Sequence, residues 1–323
     1  MGPGVGGTVR LRRGLTVAML LATLAAGLGA LVAQDNVFHV NVRLVRILTT
    51  VKNTAGQLVG DLAKSDFQVF DNGVPQDLAI FEHHTEQPLS IALMIDTSAS
   101  TGIDLKYETD SMNRFLRALF KEGNPQDAVH LYSFNYETRE LSGFTRRTDL
   151  LERALRGLRS EGGTSLYDAL SFASESLEGR EGRHVVVVVT DGGDTTSAKT
   201  YHQALEAAQM ADAVIYPVLV IPVTNDPGRN TGGEHALATL AQGTAGRVFE
   251  PTLGAALDQA FMDILRELRT QYLLAYYPKN LPPSKDRFHR LEVKVRRPDL
   301  QVLSRTGYYG DAEQAAGGWK PAR

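Results

Sequence analysis

Asp96, Ser98 and Ser100 occupy alternate positions directly after an apolar run, in the stretch IALMIDTSASTGIDLKY. One carboxylate and two hydroxyls on a turning loop can aim three oxygens at one point. Oxygen donors without nitrogen or sulfur suit a hard divalent cation, Mg²⁺ first, with Mn²⁺ or Ca²⁺ as alternatives. The same residue types also serve plain structure, since a serine can cap the following helix and an aspartate can close a turn. Two more stretches extend the donor set. SEGGTSLYDAL places Thr164 after a glycine pair and before a helical pattern, and VVVVVTDGGDTT places Asp191 at the end of the most apolar run in the chain.

These loops need a scaffold that brings them to one edge. The runs SIALMI, AVHLYSFN, HVVVVVT and AVIYPVLVI, with a weaker RVFE, have the β-branched continuity of strands buried on both faces. Between them lie segments with apolar residues three and four apart, such as YETDSMNRFLRALFKE and YHQALEAAQMA. That alternation predicts a doubly wound α/β domain with a mostly parallel sheet. AVHLYSFN and RELSGFT are too close for a helical crossover and predict a hairpin with one antiparallel edge strand. In an open parallel sheet, ligands bind beyond the carboxyl ends of the strands, where all three donor loops fall.

Before this region, FHVNVRLVRILTTVKN alternates in the β manner, and DFQVFDNGVPQDLAIFE holds two short runs around Asn72-Gly73. After it, the amphipathic LGAALDQAFMDILRELRTQ runs directly into YLLAYYP, and FHRLEVKVRR and LQVLSR follow. Neither flank is long enough for a core of its own, so the two are expected to pair into a discontinuous β-sandwich around the inserted α/β domain. The expected divisions are 36–86 and 271–310 for the β unit, 87–270 for the α/β domain, and a disordered tail over 311–323.

With Asp96, Ser98, Ser100, Thr164 and Asp191 in place, the sequence resembles the von Willebrand factor A domain and its metal-ion-dependent adhesion site. The pattern there is D-x-S-x-S, a Thr and an Asp on three successive loops. The flanking stretches GQLVGDLAKSDFQVFDNG, YLLAYYP and LQVLSRTGYY resemble the VWFA-related family described from Acidobacteria. The resemblance implies that the hydroxyls coordinate a divalent cation directly or through water. It also implies that the two aspartates stand partly behind them, and that a protein partner's carboxylate completes the coordination. Thr101 stands where many A domains have methionine, outside the coordinating set. Asp168 and Asp194 read as rim carboxylates of a helix and a turn, and the adjacent His83 and His84 as one inward and one outward strand residue.

Composition narrows the remaining choices. The chain has 323 residues, a formal charge of -3 and no cysteine. Disulfides and thiolate metal sites are therefore excluded, and no basic stripe points to nucleic acid. Arg10, Arg12 and Arg13 precede the apolar GLTVAMLLATLAAGLGALVA, so residues 1–33 read as an export signal, cleaved near Ala33 or kept as an N-terminal membrane anchor. A periplasmic, secreted or membrane-anchored location follows. No G-x-S-x-G elbow, P-loop or H-E-x-x-H occurs. A dehalogenase-type phosphotransferase would need a second carboxylate where Ser98 stands. The sequence thus predicts a non-enzymatic, metal-dependent protein-binding module. The alternatives are a structural envelope protein with a vestigial site and, further off, a Mg²⁺-dependent phosphotransferase or hydrolase.

Overall fold

The computed structural model describes residues 44–83, 87–220, 231–282 and 287–310. The expected export signal over 1–33, the expected disordered tail over 311–323 and His84 lie outside the described residues.

The first flank supplies β1 (Val45–Asn53), β2 (Phe67–Asp71), β3 (Val74–Gln76) and β4 (Leu78–Glu82). The α/β region follows with β5 (Leu89–Asp96), α1 (Leu105–Glu122), β6 (Ala128–Phe134), β7 (Thr138–Thr145), α2 (Thr148–Leu155) and α3 (Leu166–Glu175). It continues with β8 (Arg183–Thr190), α4 (Tyr201–Met210), β9 (Ala213–Leu219), α5 (Thr231–Gly243) and α6 (Ala255–Thr270). The second flank adds β10 (Tyr272–Tyr276), β11 (Phe288–Val295), β12 (Leu300–Ser304) and β13 (Gly307–Tyr309).

The central sheet has the order β7-β6-β5-β8-β9. The pairings β6·β5, β5·β8 and β8·β9 are parallel, and β7 joins β6 antiparallel at the edge. This is the doubly wound, mostly parallel α/β sheet that the alternating pattern predicts. Every residue of β5 and β9 is buried, because helices cover both faces. Ile91, Leu93, Ile95, Val185, Val187 and Val189 pack on one face with α1, α2 and α6. Ala92, Met94, Val186 and Val188 pack on the other with α3, α4 and α5. The RVFE run does not extend the sheet. Phe249 makes only an isolated parallel bridge to Val218, so its hydrophobicity serves packing against the rim.

Both flanks contribute to two antiparallel four-stranded sheets, ordered β12-β1-β10-β4 and β13-β11-β2-β3. Ile47, Val51, Phe67, Val69, Tyr272, Leu274, Leu291 and Val293 fill the layer between them, giving a small sandwich built from distant parts of the chain. Asp71 is buried at its centre. It accepts hydrogen bonds from Tyr276 Oη at 2.6 Å, Tyr308 Oη at 2.8 Å and His289 Nδ1 at 3.1 Å. One N-terminal carboxylate thereby holds three C-terminal side chains.

The junction with α6 is polar and buried. Glu267 takes Lys52 Nζ and Arg247 Nε, each at 2.5 Å. Gln271 Nε2 donates to Thr50 Oγ1 and to Tyr216 Oη, each at 3.2 Å.

Candidate functional site

Three loops meet at the carboxyl ends of β5 and β8. From β5 the chain runs to β6 on one side of it, and β8 then lies on the other side. The crevice between β5 and β8 is therefore the topological switch point, the place where departing loops leave room for a ligand. Asp96 ends β5, and Thr190 ends β8 with Asp191 directly after it.

The first loop turns at once into a 3-10 turn, Ala99–Ile103. Asp96 Oδ1 accepts the Ser98 backbone N–H at 2.8 Å, which folds the loop back over the strand end. The Ser98 and Ser100 hydroxyls lie 3.1 Å apart, so their alternate spacing does place both on one side. Ser98 stands at the N-cap of the turn without a side-chain capping bond, leaving its hydroxyl for other partners. Thr101 hydroxyl donates to the carbonyls of Ser98 at 3.0 Å and Asp96 at 3.2 Å, bracing the turn from within.

The second loop is tied to the first by backbone bonds from Ala99 N to Gly162 O at 3.1 Å and from Glu161 N to Thr97 O at 2.9 Å. Gly162 has φ +75°, a conformation that favours glycine, and a Cβ there would meet Tyr136 Cδ1 at 2.4 Å. The glycine pair is thus what lets this loop pass close enough to deliver Thr164. The third loop is tied to the second: Thr164 N–H donates to Thr195 Oγ1 at 2.8 Å, and Thr164 O accepts from Thr195 N at 2.8 Å and Thr196 N at 3.1 Å. Thr190 Oγ1 donates to Asp96 Oδ2 at 2.6 Å, and the Ser100 hydroxyl bonds Asp191, closing the third loop onto the first.

All five residues named from the sequence therefore lie on one mutually braced set of loops. Asp168 and Asp194 have other work. Asp168 accepts from the Ala198 and Lys199 N–H groups at 2.9 and 2.7 Å, and Asp194 accepts from Tyr167 N at 3.2 Å, so both shape the third loop. Around the loops, Ile103, Tyr107 and Tyr136 are exposed, Ile103 to 88%.

Among the described residues, the groups that act on the site's carboxyls are other carboxylates and hydrogen-bond donors, none of them basic. Burial pushes the Asp96 carboxyl up to about 6, against hydrogen bonds from Thr190 and Ser98 that pull it down. Burial also raises Asp191, whose bond from Ser100 opposes the shift. A third carboxyl, Glu108 on α1, is pushed up to about 8 by burial and then by the charges of Asp96, Asp191 and Asp104. No basic side chain is among the groups that shape these three.

Glu108 was not legible as a site residue from loop motifs, although a signal exists. It falls in the stripe Leu105, Met112, Phe115 and Leu119, where the helical period asks for an apolar residue. Among the described residues, no three Asp, Glu or His side chains stand close enough together to hold a metal by themselves. Hydroxyl oxygens would have to complete any donor set, and Ser98, Ser100 and Thr164 carry such oxygens on the braced loops.

Residues 91–193 match the family model described as the von Willebrand factor type A domain. No curated protein matches the chain in sequence. Among solved structures, the vWF domain of the type V pili tip protein Mfa5 from Porphyromonas gingivalis is 17% identical, with TM-score 0.47, over 56% of this chain and 94% of that one. The conserved hypothetical protein BatB from Bacteroides thetaiotaomicron is 16% identical, with TM-score 0.45, over 56% and 98%. The PilB minor pilin from Streptococcus sanguinis is 12% identical, with TM-score 0.46, over 57% of this chain. The match spans 62% of that pilin chain, less than two thirds of it.

Proposed function

We propose that this chain is an exported binding protein that uses a divalent cation, held by Asp96, Ser98, Ser100, Thr164 and Asp191, to engage an acidic group on a protein partner. The observation that carries the reading is that the three loops bearing Asp96, Ser98, Ser100, Thr164 and Asp191 are bonded to one another at the carboxyl ends of β5 and β8, with Asp96 buried, Asp191 half-buried and no basic side chain of the described residues among the groups that act on either carboxyl.

The donor chemistry fits a hard cation. All five side chains offer oxygen, and only two of the five are carboxylates. A divalent cation in such a set keeps enough electrophilic character to attract one more carboxylate from outside. Ser100 is exposed and Asp191 half-buried, so the open side of the site faces solvent, whereas Asp96 is closed off below. The exposed Ile103, Tyr107 and Tyr136 would give a partner apolar contact around an acidic anchor. Export rests on the N-terminal sequence pattern alone. Among the described residues, no helix is long and apolar enough to cross a membrane.

Binding is favoured over catalysis by the state of Asp96. Its oxygens are engaged by Thr190 and by the Ser98 N–H, and the residue is 0% exposed, which is a poor posture for a nucleophile. The deciding experiment is calorimetric titration of the chelator-treated full chain with Mg²⁺, Mn²⁺ and Ca²⁺ beside Asp96→Ala. Saturable binding lost in the variant supports the reading. The absence of heat and of any thermal shift with all three cations would replace it with a structural protein carrying a vestigial site.

A further inference from the structure

Glu108 sits within the apolar stripe of α1 and is 1% exposed, yet neither of its carboxylate oxygens has a hydrogen-bond partner among the described residues. Leu105 and Met112, one turn to either side, belong to the hydrophobic core. After burial itself, the groups that act on Glu108 most strongly are Asp96 and Asp191, followed by Asp104. Glu108 lies in the first turn of α1, the helix that leaves the first donor loop, within reach of these like charges.

A buried carboxylate normally persists because a basic group or several N–H donors hold it. Glu108 has neither, and an apolar residue would satisfy the helix period at that position. Two kinds of partner remain for its oxygens: a proton of its own, or hydrogen bonds from water held by a cation. Small hard cations keep several waters, and each such water needs an acceptor for its protons. Asp96 has little to spare, since Thr190 and the Ser98 N–H already occupy it. Glu108 offers two buried oxygens without a partner among the described residues.

We propose that Glu108 is a further, water-mediated ligand of the divalent cation, holding the ion's inner waters while the solvent side stays open to the partner. The inference rests on the metal reading given under Proposed function. It adds a residue on α1 to a site otherwise made of loops, and assigns it the role of setting cation affinity.

The test is calorimetric titration of the full chain with Mg²⁺ and Mn²⁺ for the wild type, Glu108→Gln, Glu108→Leu and Asp96→Ala, with a melting curve of each metal-free protein. Loss of an outer carboxylate weakens metal binding by roughly 10- to 100-fold, and both Glu108 variants are expected to show this. Their metal-free melting temperatures should be no lower than the wild type's, because an unpartnered buried carboxyl has been removed. Affinity within twofold of wild type in the Glu108 variants would overturn the role of Glu108 and leave the loop site standing. Failure of both variants to fold would overturn it too, by showing that Glu108 serves the fold. A wild-type chain that binds no cation would overturn the metal reading itself, and this inference with it.

Discussion

Thr190 and Asp96 belong to neighbouring parallel strands and meet at their carboxyl ends, where the threonine hydroxyl donates to Asp96 Oδ2 at 2.6 Å. Both residues are 0% exposed. The bond fixes the aspartate at the mouth of the switch point and joins the first donor loop to the third. Thr190→Val keeps the β-branched shape and removes the donor. Leaving a buried carboxylate oxygen unpaired costs about 1–3 kcal/mol, so chemical denaturation should show a loss of that size in metal-free protein.

The metal-free protein should lose stability as pH rises. Asp96 moves from 3.8 to about 6 and Glu108 from 4.5 to about 8 on folding. Each acid is protonated more readily in the folded state than in the unfolded chain, so the folded state binds more protons between those values. Stability therefore falls from about pH 4 through pH 8, by an amount on the order of a few kcal/mol. Melting temperatures measured in chelator across this range should decline, and Glu108→Gln should flatten the upper part of the curve. A rise over the same range would contradict the burial argument.

A divalent cation should reverse that loss. A ligand bound only by the folded state stabilises it by about 2.7 kcal/mol at one hundred times its dissociation constant. Thermal melts at pH 7.5 with and without Mg²⁺ should differ for the wild type and coincide for Asp96→Ala and Asp191→Ala.

Gly162→Ala tests the second loop. The substitution meets both a positive φ and the Tyr136 ring. Strain of this kind costs about 1–3 kcal/mol unless the loop shifts. Because Gly162 O also holds Ala99 N, a shift should displace Thr164 relative to the first loop. Lower stability together with weaker cation binding is expected; an unchanged affinity would show that the loop's position does not matter to the site.

Glu267→Gln addresses the junction with the β unit. The carboxylate is 3% exposed and holds Lys52 and Arg247. Removing its charge leaves Lys52 and Arg247 facing a neutral amide, and leaving a buried charge uncompensated in this way costs about 3–5 kcal/mol. Urea denaturation should register the loss, and the double variant Lys52→Met/Glu267→Gln should recover part of it.

The amino-acid pattern carried the layer architecture, because continuous runs such as VVVVV alternating with amphipathic helical segments suit a parallel sheet covered by helices on both faces. It also named the loop residues, since Asp96, Ser98 and Ser100 at alternate positions, Thr164 after two glycines, and Asp191 after an apolar strand are local patterns. Local pattern misjudged RVFE, whose apolar residues pack without joining a strand ladder, because periodicity reports burial and not pairing. Tertiary structure alone decided that β8 lies beside β5, which turns three separate loops into one braced site. It also set Glu108 within reach of their charges. The helical stripe shows only that position 108 faces inward. What it faces depends on which loops the sheet order delivers above it, and that order is fixed by contacts between strands distant in the chain.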